Sequence, residues 1–398
     1  MDNNTYIAYH MNLENTHMKA FFRIVLKIFE LLLKTAACVL CIGMIVVLLA
    51  YFTLGRGTVV KEGAQIPSVD YAIMDRYNNF INNTLSDALD GVLSIKKVYW
   101  LSDDDLVAPE PDQERFGTAK DPAELQWLLD AAAGVLDGQE TLFNTQTPVW
   151  DKSEIHYYLD DTIFTVTWKQ PIGGSMYTIS EVKIADPSQF RRFLADGEYA
   201  SSAKYTAVEM ASSVNAVVAA NGDFYTFRNL GIIVYDSQLM RMEGREMDTC
   251  FIAGNGDLLF AHKGQIVSQE ETEAFLKENG VRFSISFGPI LIENGEKCWI
   301  KNPYPVGEGN IRDARAALCQ LDSLHYLLIA VNQDGEYKNR HNLKELQENL
   351  YNMGCKQAYN LDGGQSATIV VNDKKINEVW LRKISDIIYF ATALPSEG

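Results

Sequence analysis

An uncharged, largely apolar stretch near the N-terminus constrains this chain most. No charged residue occurs from Thr35 to Leu54, and about 20 such residues are what a helix needs to cross the hydrocarbon core of a membrane. Four basic residues precede the stretch, whereas only Arg56 and Lys61 follow it closely. The positive-inside tendency therefore predicts a single-pass cell-membrane protein with a cytoplasmic tail at 1–34, a signal-anchor helix at 35–54 and an extracytoplasmic C-terminal part.

The composition limits the class of the remaining chain. Hydrophobic residues make up 47% and charged residues 22% of the sequence, as in chains that bury a core. The net charge of −17 argues against nucleic-acid binding, which needs a basic face. Cys250, Cys298, Cys319 and Cys355 would lie where disulfides are permitted, but four cysteines allow three pairings and the sequence does not choose among them.

The predicted exported part divides into two segments. Residues 55–150 are expected to form a membrane-proximal helical or spacer region, with one helix within Val69–Leu93 and a second that Asp121 begins as its N-cap, with Pro122 behind it. Residues 151–398 are expected to form the main domain.

Strand and helix patterns are interleaved in the main domain without a regular βαβ period. This favours an α+β fold with a mixed sheet over a doubly wound one. Gly173-Gly174 separates two β-rich segments and predicts a hairpin. Pro187–Leu194 is expected to be a short helical segment.

The most informative chemical pattern is a corner near the C-terminus. An apolar strand ends there and is followed, in order, by Asn360, Asp362, Gly363, Gly364 and Ser366 among its residues. Glycine N–H groups can come close to a ligand, and successive N–H groups in a turn can bind an anion. A carboxylate beside such a turn suits the cleavage of a phosphorylated substrate, although an ordinary tight turn would have the same sequence.

A second corner repeats the combination of amide, glycine and carboxylate. Asn221, Gly222 and Asp223 follow another apolar segment, so Asp223 and Asp362 could share one cleft. Glycosidic cleavage typically uses two carboxyl groups, one as an acid and one as a base or nucleophile. Arg315 precedes a further strand, and its planar guanidinium is suited to phosphate.

Taken together, these segments resemble the phosphodiester glycosidase family over roughly residues 160–394. The resemblance rests on five segments that occur in the family's order: 219–225, 287–295, 315–317, 327–334 and 360–366. It implies hydrolysis of the glycosidic bond of a sugar-1-phosphodiester in a cell-envelope or exopolysaccharide substrate. It also implies catalytic roles for Asp362, Asp223 and Arg315, and substrate contacts by Asn221, Gly222, Asn360, Gly363, Gly364 and Ser366.

The chain also departs from the family pattern at two places. The family more often has a third glycine and Ser-Ser where this chain has Gln365-Ser366-Ala367, and it often has Asp-Gly-Arg where Asn332-Gln333-Asp334-Gly335 stands here. Two functions therefore stay open: an anchored glycosidase, or an inactive envelope protein that binds polysaccharide or a protein partner. No organic cofactor is expected, and a divalent metal held by the carboxylates is a further alternative.

Overall fold

A computed structural model describes Leu101, Tyr304 and residues 107–144, 147–301 and 309–394. The predicted cytoplasmic tail, the predicted span at 35–54 and the predicted helix within Val69–Leu93 lie outside these residues. No helix in the described ranges is long and apolar enough to cross a membrane. The described residues belong to one compact unit, Lys96–Gly398.

The described residues form four α-helices and nineteen strands, together with several single turns of 3-10 helix. The helices are α1 (Gln126–Leu136), α2 (Ala207–Ser213), α3 (Gln269–Asn279) and α4 (Leu343–Asn352). The strands are β1 (Phe116–Ala119), β2 (Ile155–Leu159), β3 (Ile163–Ile172), β4 (Ser175–Ile184), β5 (Phe190–Leu194), β6 (Val218–Asn221), β7 (Ile233–Tyr235), β8 (Gln238–Arg241), β9 (Thr249–Ile252), β10 (Leu258–Ala261), β11 (Phe283–Ile285), β12 (Ile290–Glu293), β13 (Glu296–Lys297), β14 (Arg315–Asp322), β15 (His325–Asn332), β16 (Gln357–Leu361), β17 (Ile369–Val371), β18 (Lys374–Lys375) and β19 (Asp386–Phe390).

Two sheets build the frame of the molecule. The larger has nine strands in the order β1-β2-β3-β4-β15-β14-β16-β12-β13, and the smaller has five in the order β18-β17-β6-β19-β5. A three-stranded sheet, β10-β9-β11, and the pair β7-β8 complete the strands. Helices and sheet are both present, as the α+β prediction requires. The expected mixed sheet is wrong for the described part, where the neighbouring strands run antiparallel.

The main core lies between the two large sheets. Because successive side chains of a strand point to opposite faces, one set from the nine-stranded sheet, including Ile163, Val182 and Leu318, turns toward the five-stranded sheet. It packs there against side chains such as Phe190 and Ile388. Apolar burial of this extent is the dominant favourable term in folding.

Helices cover the outer faces of both sheets. Alternate residues of the nine-stranded sheet, such as Phe164 and Ile179, pack with residues of α1 and α4 that include Leu128 and Leu346. On the outer face of the five-stranded sheet, α2 packs against β6, β17 and β19. The molecule therefore has four layers in the order helices, sheet, sheet and helix.

The second predicted helix of the spacer region is present and packs on the larger sheet. Asp121 accepts a hydrogen bond from the Ala123 N–H at 2.8 Å, and Pro122 stands in the first turn before α1 begins. Beyond α1, the buried Glu181 carboxylate accepts hydrogen bonds from the N–H groups of Leu142 and Phe143. The predicted division of the chain near residue 150 stays a prediction.

A secondary-structure prediction made from a short segment is confirmed where neighbouring residues set the structure, and it is wrong where pairing with a distant strand sets it. The hairpin at Gly173-Gly174 is confirmed, since it joins β3 to β4. The helix expected over Pro187–Leu194 is wrong, because only Pro187–Gln189 forms a 3-10 turn and Phe190–Leu194 is β5. This strand pairs with β19, almost two hundred residues further along the chain, and such pairing overrides local preference.

The four described cysteines are free thiols. Cys250, Cys319 and Cys355 are buried and Cys298 is partly buried. Burial in apolar surroundings raises the pKa of the Cys250 thiol well above its ordinary value. These side chains act as small apolar residues of the core.

Candidate active site

The Asp362 corner lies where the chain crosses from one large sheet to the other, and the Asn221 corner lies beside it at the end of a strand of the five-stranded sheet. Strand β16 of the nine-stranded sheet ends at Leu361, and β17 of the five-stranded sheet begins at Ile369. Strand β6, the neighbour of β17, ends at Asn221. Arg315 begins β14, which pairs with β16 so that Ala316 lies opposite Leu361. The sheet topology therefore places the C-terminal ends of β16 and β6 and the N-terminal end of β14 close together.

Asn221 joins the two corners through its side-chain amide. Its Nδ2 donates to the carbonyl oxygen of Asp362 at 2.7 Å, and its Oδ1 accepts from the Thr368 N–H at 3.1 Å. The Asp362 N–H in turn donates to the Gly222 carbonyl at 3.3 Å. Because Asn221 is buried and bonded to the protein's own backbone, it positions Asp362, and the predicted substrate contact by Asn221 is not seen.

The glycines of both corners permit close approaches of the backbone. A Cβ on Gly222 would lie 1.9 Å from Oδ2 of Asp386, and a Cβ on Gly363 would lie 2.6 Å from the Ala314 carbonyl oxygen. Gly364 has φ +61 and donates its N–H to that same carbonyl at 2.9 Å. The Gly364 N–H is thus occupied within the protein, which corrects the expectation that it binds phosphate.

Asp362 lies on a cavity of about 230 Å³. Its Oδ2 is buried and has no hydrogen-bond partner in the described part of the chain. Burial raises the pKa of this carboxyl to about 6, although the nearby Ser366 hydroxyl and the charges of Arg382 and Arg228 oppose the shift. Buried polar atoms normally have a partner, so this oxygen is unusual, while the Asp362 residue as a whole is partly exposed on the cavity wall.

Three arginines lie on the cavity wall or act on the Asp362 carboxyl by their charge. Arg315 lines the cavity and is oriented by donating its Nε to the His341 carbonyl at 3.1 Å. Arg382 also lines the cavity and lies over the Phe224 ring, 4.7 Å from its centroid. Arg228 lies over the Phe287 ring at 5.0 Å. The planar guanidinium group of arginine is suited to phosphate.

Asp223 takes part in a fully buried ion network. Nη2 of Arg192 donates to Oδ1 of Asp223 at 2.6 Å and to Oδ2 of Asp386 at 2.7 Å, and these side chains are at most 1% exposed. The second oxygen of Asp223 accepts from the Ser286 N–H at 2.6 Å. Burial raises the pKa of Asp223, and Arg192 opposes the shift. Asp223 therefore has no oxygen directed to the cavity.

A second carboxylate does reach the cavity, and sequence reasoning missed it. Asp313 lines the same wall, is about half exposed, and accepts hydrogen bonds from the Ala314 N–H at 2.8 Å and from Arg340 at 3.4 Å. Burial lowers the pKa of Arg315, and the charge of Asp313 opposes that shift.

The structure thus separates the sequence-predicted residues into two groups. The first lines the cavity and comprises Asp362, Arg315, Asn360, Gly363 and Gly364. The second supports the corners without lining the cavity and comprises Asp223, Asn221, Gly222 and Ser366. Arg228 and Arg382 were missed as well, since isolated arginines in irregular segments give no sequence signal.

Asn360 shows a second unpaired polar atom on the cavity wall. Its Nδ2 donates to the Gly288 carbonyl at 2.7 Å, while its buried Oδ1 has no partner in the described residues.

A divalent metal was the remaining alternative for the carboxylates. The described residues contain no group of three or more His, Cys, Asp or Glu side chains placed to hold a metal ion. The carboxylates of Asp223 and Asp386 meet at the guanidinium of Arg192, whose single positive charge balances one of the two carboxylates.

A larger groove of about 1180 Å³ adjoins the cavity. The two share Asp313, Ala314, Gly364 and Arg382 in their walls. Of the two segments that depart from the family pattern, Asn332, Gln333 and Gln365 line the groove, and no residue of either segment lines the cavity.

Several solved structures resemble this chain, among them the following two. A hypothetical protein from Synechocystis is 16% identical, with 62% of this chain and 64% of that chain covered and a TM-score of 0.44. The zebrafish N-acetylglucosamine-1-phosphodiester alpha-N-acetylglucosaminidase catalytic domain, auto-inhibited by its pro-peptide, is 20% identical, with 65% and 92% covered and a TM-score of 0.47. This chain thus spans slightly less than two thirds of the Synechocystis protein.

The remaining comparisons concern sequence alone. No curated protein matches the chain. The family model described as phosphodiester glycosidase matches residues 214–391, a range that contains both corners, Arg228, Arg315 and Arg382. The resemblance to the phosphodiester glycosidase family is therefore confirmed over residues 214–391, the range that the family model matches.

Proposed function

We propose that this protein is a membrane-anchored extracytoplasmic hydrolase that cleaves the glycosidic bond of a sugar-1-phosphodiester, releasing the sugar and leaving a phosphomonoester. One observation carries the proposal: the partly exposed Asp362 shares a small cavity with Arg315 and Arg382. The family match supports a hydrolase of this kind. The anchor is proposed from the uncharged stretch at 35–54 and its flanking charges.

The leaving group determines what the site must supply. A phosphomonoester has a second pKa of about 6, so it can depart as an anion without first receiving a proton. Its departure is then assisted mainly by fixed positive charge. Arg315 and Arg382 on the cavity wall, with Arg228 close to Asp362, provide that charge.

Asp362 acts in its ionised form in this scheme. In a double displacement its oxygen bonds to the anomeric carbon, the carbon–oxygen bond to the phosphate breaks, and the electron pair leaves on the phosphate oxygen. Water then hydrolyses the glycosyl ester. In a single displacement Asp362 takes the proton of a water that attacks the anomeric carbon. A pKa of about 6 leaves most of the carboxyl ionised at neutral pH.

Asp313 is the second carboxylate of the site, on the same cavity wall. In a double displacement it takes the proton of the water that hydrolyses the intermediate. This reassigns the role that the sequence pattern gives to Asp223, whose oxygens are bonded to Arg192 and Ser286.

The substrate is proposed to belong to the cell envelope or to an exopolysaccharide, as suits an anchored domain. The experiment uses the full chain in detergent with methyl esters of several sugar 1-phosphates, including N-acetylglucosamine. Free reducing sugar is measured with and without a chelator, and the chelator arm reports whether a divalent cation contributes. We expect the wild type to release sugar and Arg315→Met to lower kcat/KM at least a hundredfold.

Lys356→Ala provides the matched control. Lys356 is exposed and pairs with Asp322 far from the cavity wall, so this variant should retain wild-type turnover. Binding of the esters without release of sugar would instead support the inactive polysaccharide-binding protein. Equal loss in both variants would remove Arg315 from the proposed site.

A further inference from the structure

We infer that His341 is a positioning residue of the candidate active site, because its buried imidazole holds the backbone carbonyl that orients Arg315 and Asp313. The inference rests on the proposed function, which assigns Arg315 to the phosphate. The His341 carbonyl oxygen accepts from Nε of Arg315 at 3.1 Å and from the Asp313 N–H at 3.2 Å. Both residues line the cavity. One carbonyl therefore fixes the guanidinium of Arg315 and the backbone that carries the Asp313 carboxylate.

The segment that carries this carbonyl belongs to no helix or strand. His341 lies between β15 and α4, and it pairs with Asp313 through an isolated bridge. Connecting segments are more mobile than the elements that they join, so a carbonyl in such a segment needs further contacts to keep one position. The His341 side chain supplies contacts of this kind, since the residue is only 3% exposed.

Both nitrogens of the imidazole have partners. Nδ1 lies 2.7 Å from the Tyr177 hydroxyl, which accepts from Nδ2 of Asn349 at 2.8 Å. On its other side the ring hydrogen-bonds to the backbone of Gly173, where an added Cβ would lie 2.9 Å from Nε2. Burial lowers the pKa of His341, so the ring is neutral at pH 7 and has one donor and one acceptor nitrogen. Because the Gly173 carbonyl can only accept, Nε2 carries the proton and Nδ1 accepts from Tyr177.

The imidazole thus connects Arg315 to the nine-stranded sheet at a second point. Val331 of β15 lies opposite Tyr177 of β4 on one side and opposite Arg315 of β14 on the other. A guanidinium that is fixed before a ligand arrives loses less conformational entropy when it binds that ligand. His341 itself lines neither the cavity nor the groove, so it raises the affinity for phosphate through Arg315 alone.

The test measures the Kd of the full chain in detergent for methyl phosphate by calorimetry. We expect His341→Ala to raise this Kd at least tenfold. His341→Asn should stay within threefold of the wild type, because the side-chain oxygen of asparagine can take the place of Nδ1 and accept from Tyr177. Tyr177→Phe removes only the hydroxyl group and should raise the Kd at least threefold. It provides the answer if His341→Ala does not fold.

His325→Ala is the matched control for a merely structural effect. His325 is also buried and hydrogen-bonded, to Glu181 at 2.7 Å, but it lies opposite Asp322 at the far end of β14 from Arg315. This variant should lower the melting temperature and leave the Kd unchanged. In an Arg315→Met background, His341→Ala should change the Kd less than twofold, because the arginine through which it acts is absent.

The binding measurement separates this inference from the proposed reaction. The expected order of Kd values in a protein that releases no sugar would support the role of His341 and refute only the reaction. Wild-type affinity in both His341→Ala and Tyr177→Phe, or an equal loss of affinity in His325→Ala, would overturn the inference even if sugar is released. A wild type that does not bind methyl phosphate would overturn it as well.

Discussion

The Asn221 side chain donates a hydrogen bond of 2.7 Å to the carbonyl oxygen of Asp362, a residue 141 positions further along the chain. The bond joins the end of β6 in one sheet to the end of β16 in the other. It also fixes the backbone from which the Asp362 carboxyl extends into the cavity. The geometry of the site therefore depends directly on how the two sheets meet.

Replacing Asn221 should weaken both the fold and the site. Asn221→Ala leaves the Asp362 carbonyl and the Thr368 N–H without their buried partner, which we expect to cost on the order of 1–3 kcal/mol of unfolding free energy. Urea denaturation followed by tryptophan fluorescence measures this. Asn339→Ala, which removes an exposed amide that donates to the Gly173 carbonyl, should lose less than about 1 kcal/mol. Equal losses would show that the corner bond has no special role.

Asp362→Asn should abolish turnover and stabilise the protein. The folded-state pKa of Asp362 is about 6, above its ordinary 3.8, so stability falls as pH rises between these values and the full cost is present above about pH 6. Removing the ionisable group should then add on the order of 1–3 kcal/mol at about pH 7.5. The gain should vanish near pH 4, close to the ordinary pKa of the carboxyl. A variant less stable than wild type at neutral pH would contradict the unpaired, buried state of this carboxyl.

The pH dependence of wild-type activity tests the ionisation state of Asp362. Because the scheme needs the carboxylate, kcat/KM should rise with pH through an inflection near 6, the pKa of the free enzyme's carboxyl. A bound phosphodiester adds negative charge, so the inflection in kcat should lie at the same pH or higher. A kcat/KM that falls as pH rises through this inflection would show instead that Asp362 acts as an acid.

The buried network around Arg192 should be required for folding. Arg192→Met leaves Asp223 and Asp386 without their shared partner, and breaking a buried ion pair in this way costs about 3–5 kcal/mol. Lys356→Ala removes one member of an exposed pair and should cost at most about 1 kcal/mol. Thermal unfolding of both variants checks this difference. Similar melting temperatures for the two would refute a structural role for the network.

Replacing Gly222 and Gly134 by alanine should change the free energy of unfolding in opposite directions. A Cβ on Gly222 would lie 1.9 Å from the buried Asp386 carboxylate, so Gly222→Ala should displace that carboxylate and destabilise the protein. Gly134 lies on the exposed side of α1, where an added Cβ would have no other atom within 4 Å, and alanine there should add about 0.5–1 kcal/mol through helix propensity. The urea-denaturation midpoints of the two variants, compared with that of the wild type, show whether one variant is less stable and the other more stable.

Sequence reasoning identified the corners better than the partners that complete them. The Asp362 corner and the Asn221 corner are recognisable because short patterns of glycine, amide and carboxylate follow apolar strands. The helix begun by Asp121 and the hairpin at Gly173-Gly174 are likewise encoded within a few residues. Local chemistry dictates each of these features.

Features that depend on pairing between residues far apart in the sequence could not be predicted from short sequence patterns. Asp223 and Asp362 have similar sequence surroundings, yet Arg192 on β5 buries one of them in an ion network and leaves the other on the cavity. No residue close to Asp223 in the sequence indicates that Arg192 will form an ion pair with it. Phe190–Leu194 forms a strand because it pairs with β19. Arg382 stacks on the ring of Phe224, which is also distant in the sequence.

The position of bond cleavage tests the central claim most directly. The wild type is incubated in water enriched in oxygen-18 with a sugar-1-phosphodiester that it hydrolyses, and both products are analysed by mass spectrometry after brief reaction. Attack at the anomeric carbon predicts label in the released sugar and none in the phosphomonoester. Label in the phosphomonoester would show cleavage of the phosphorus–oxygen bond and would contradict the assignment of Asp362 to glycosidic chemistry.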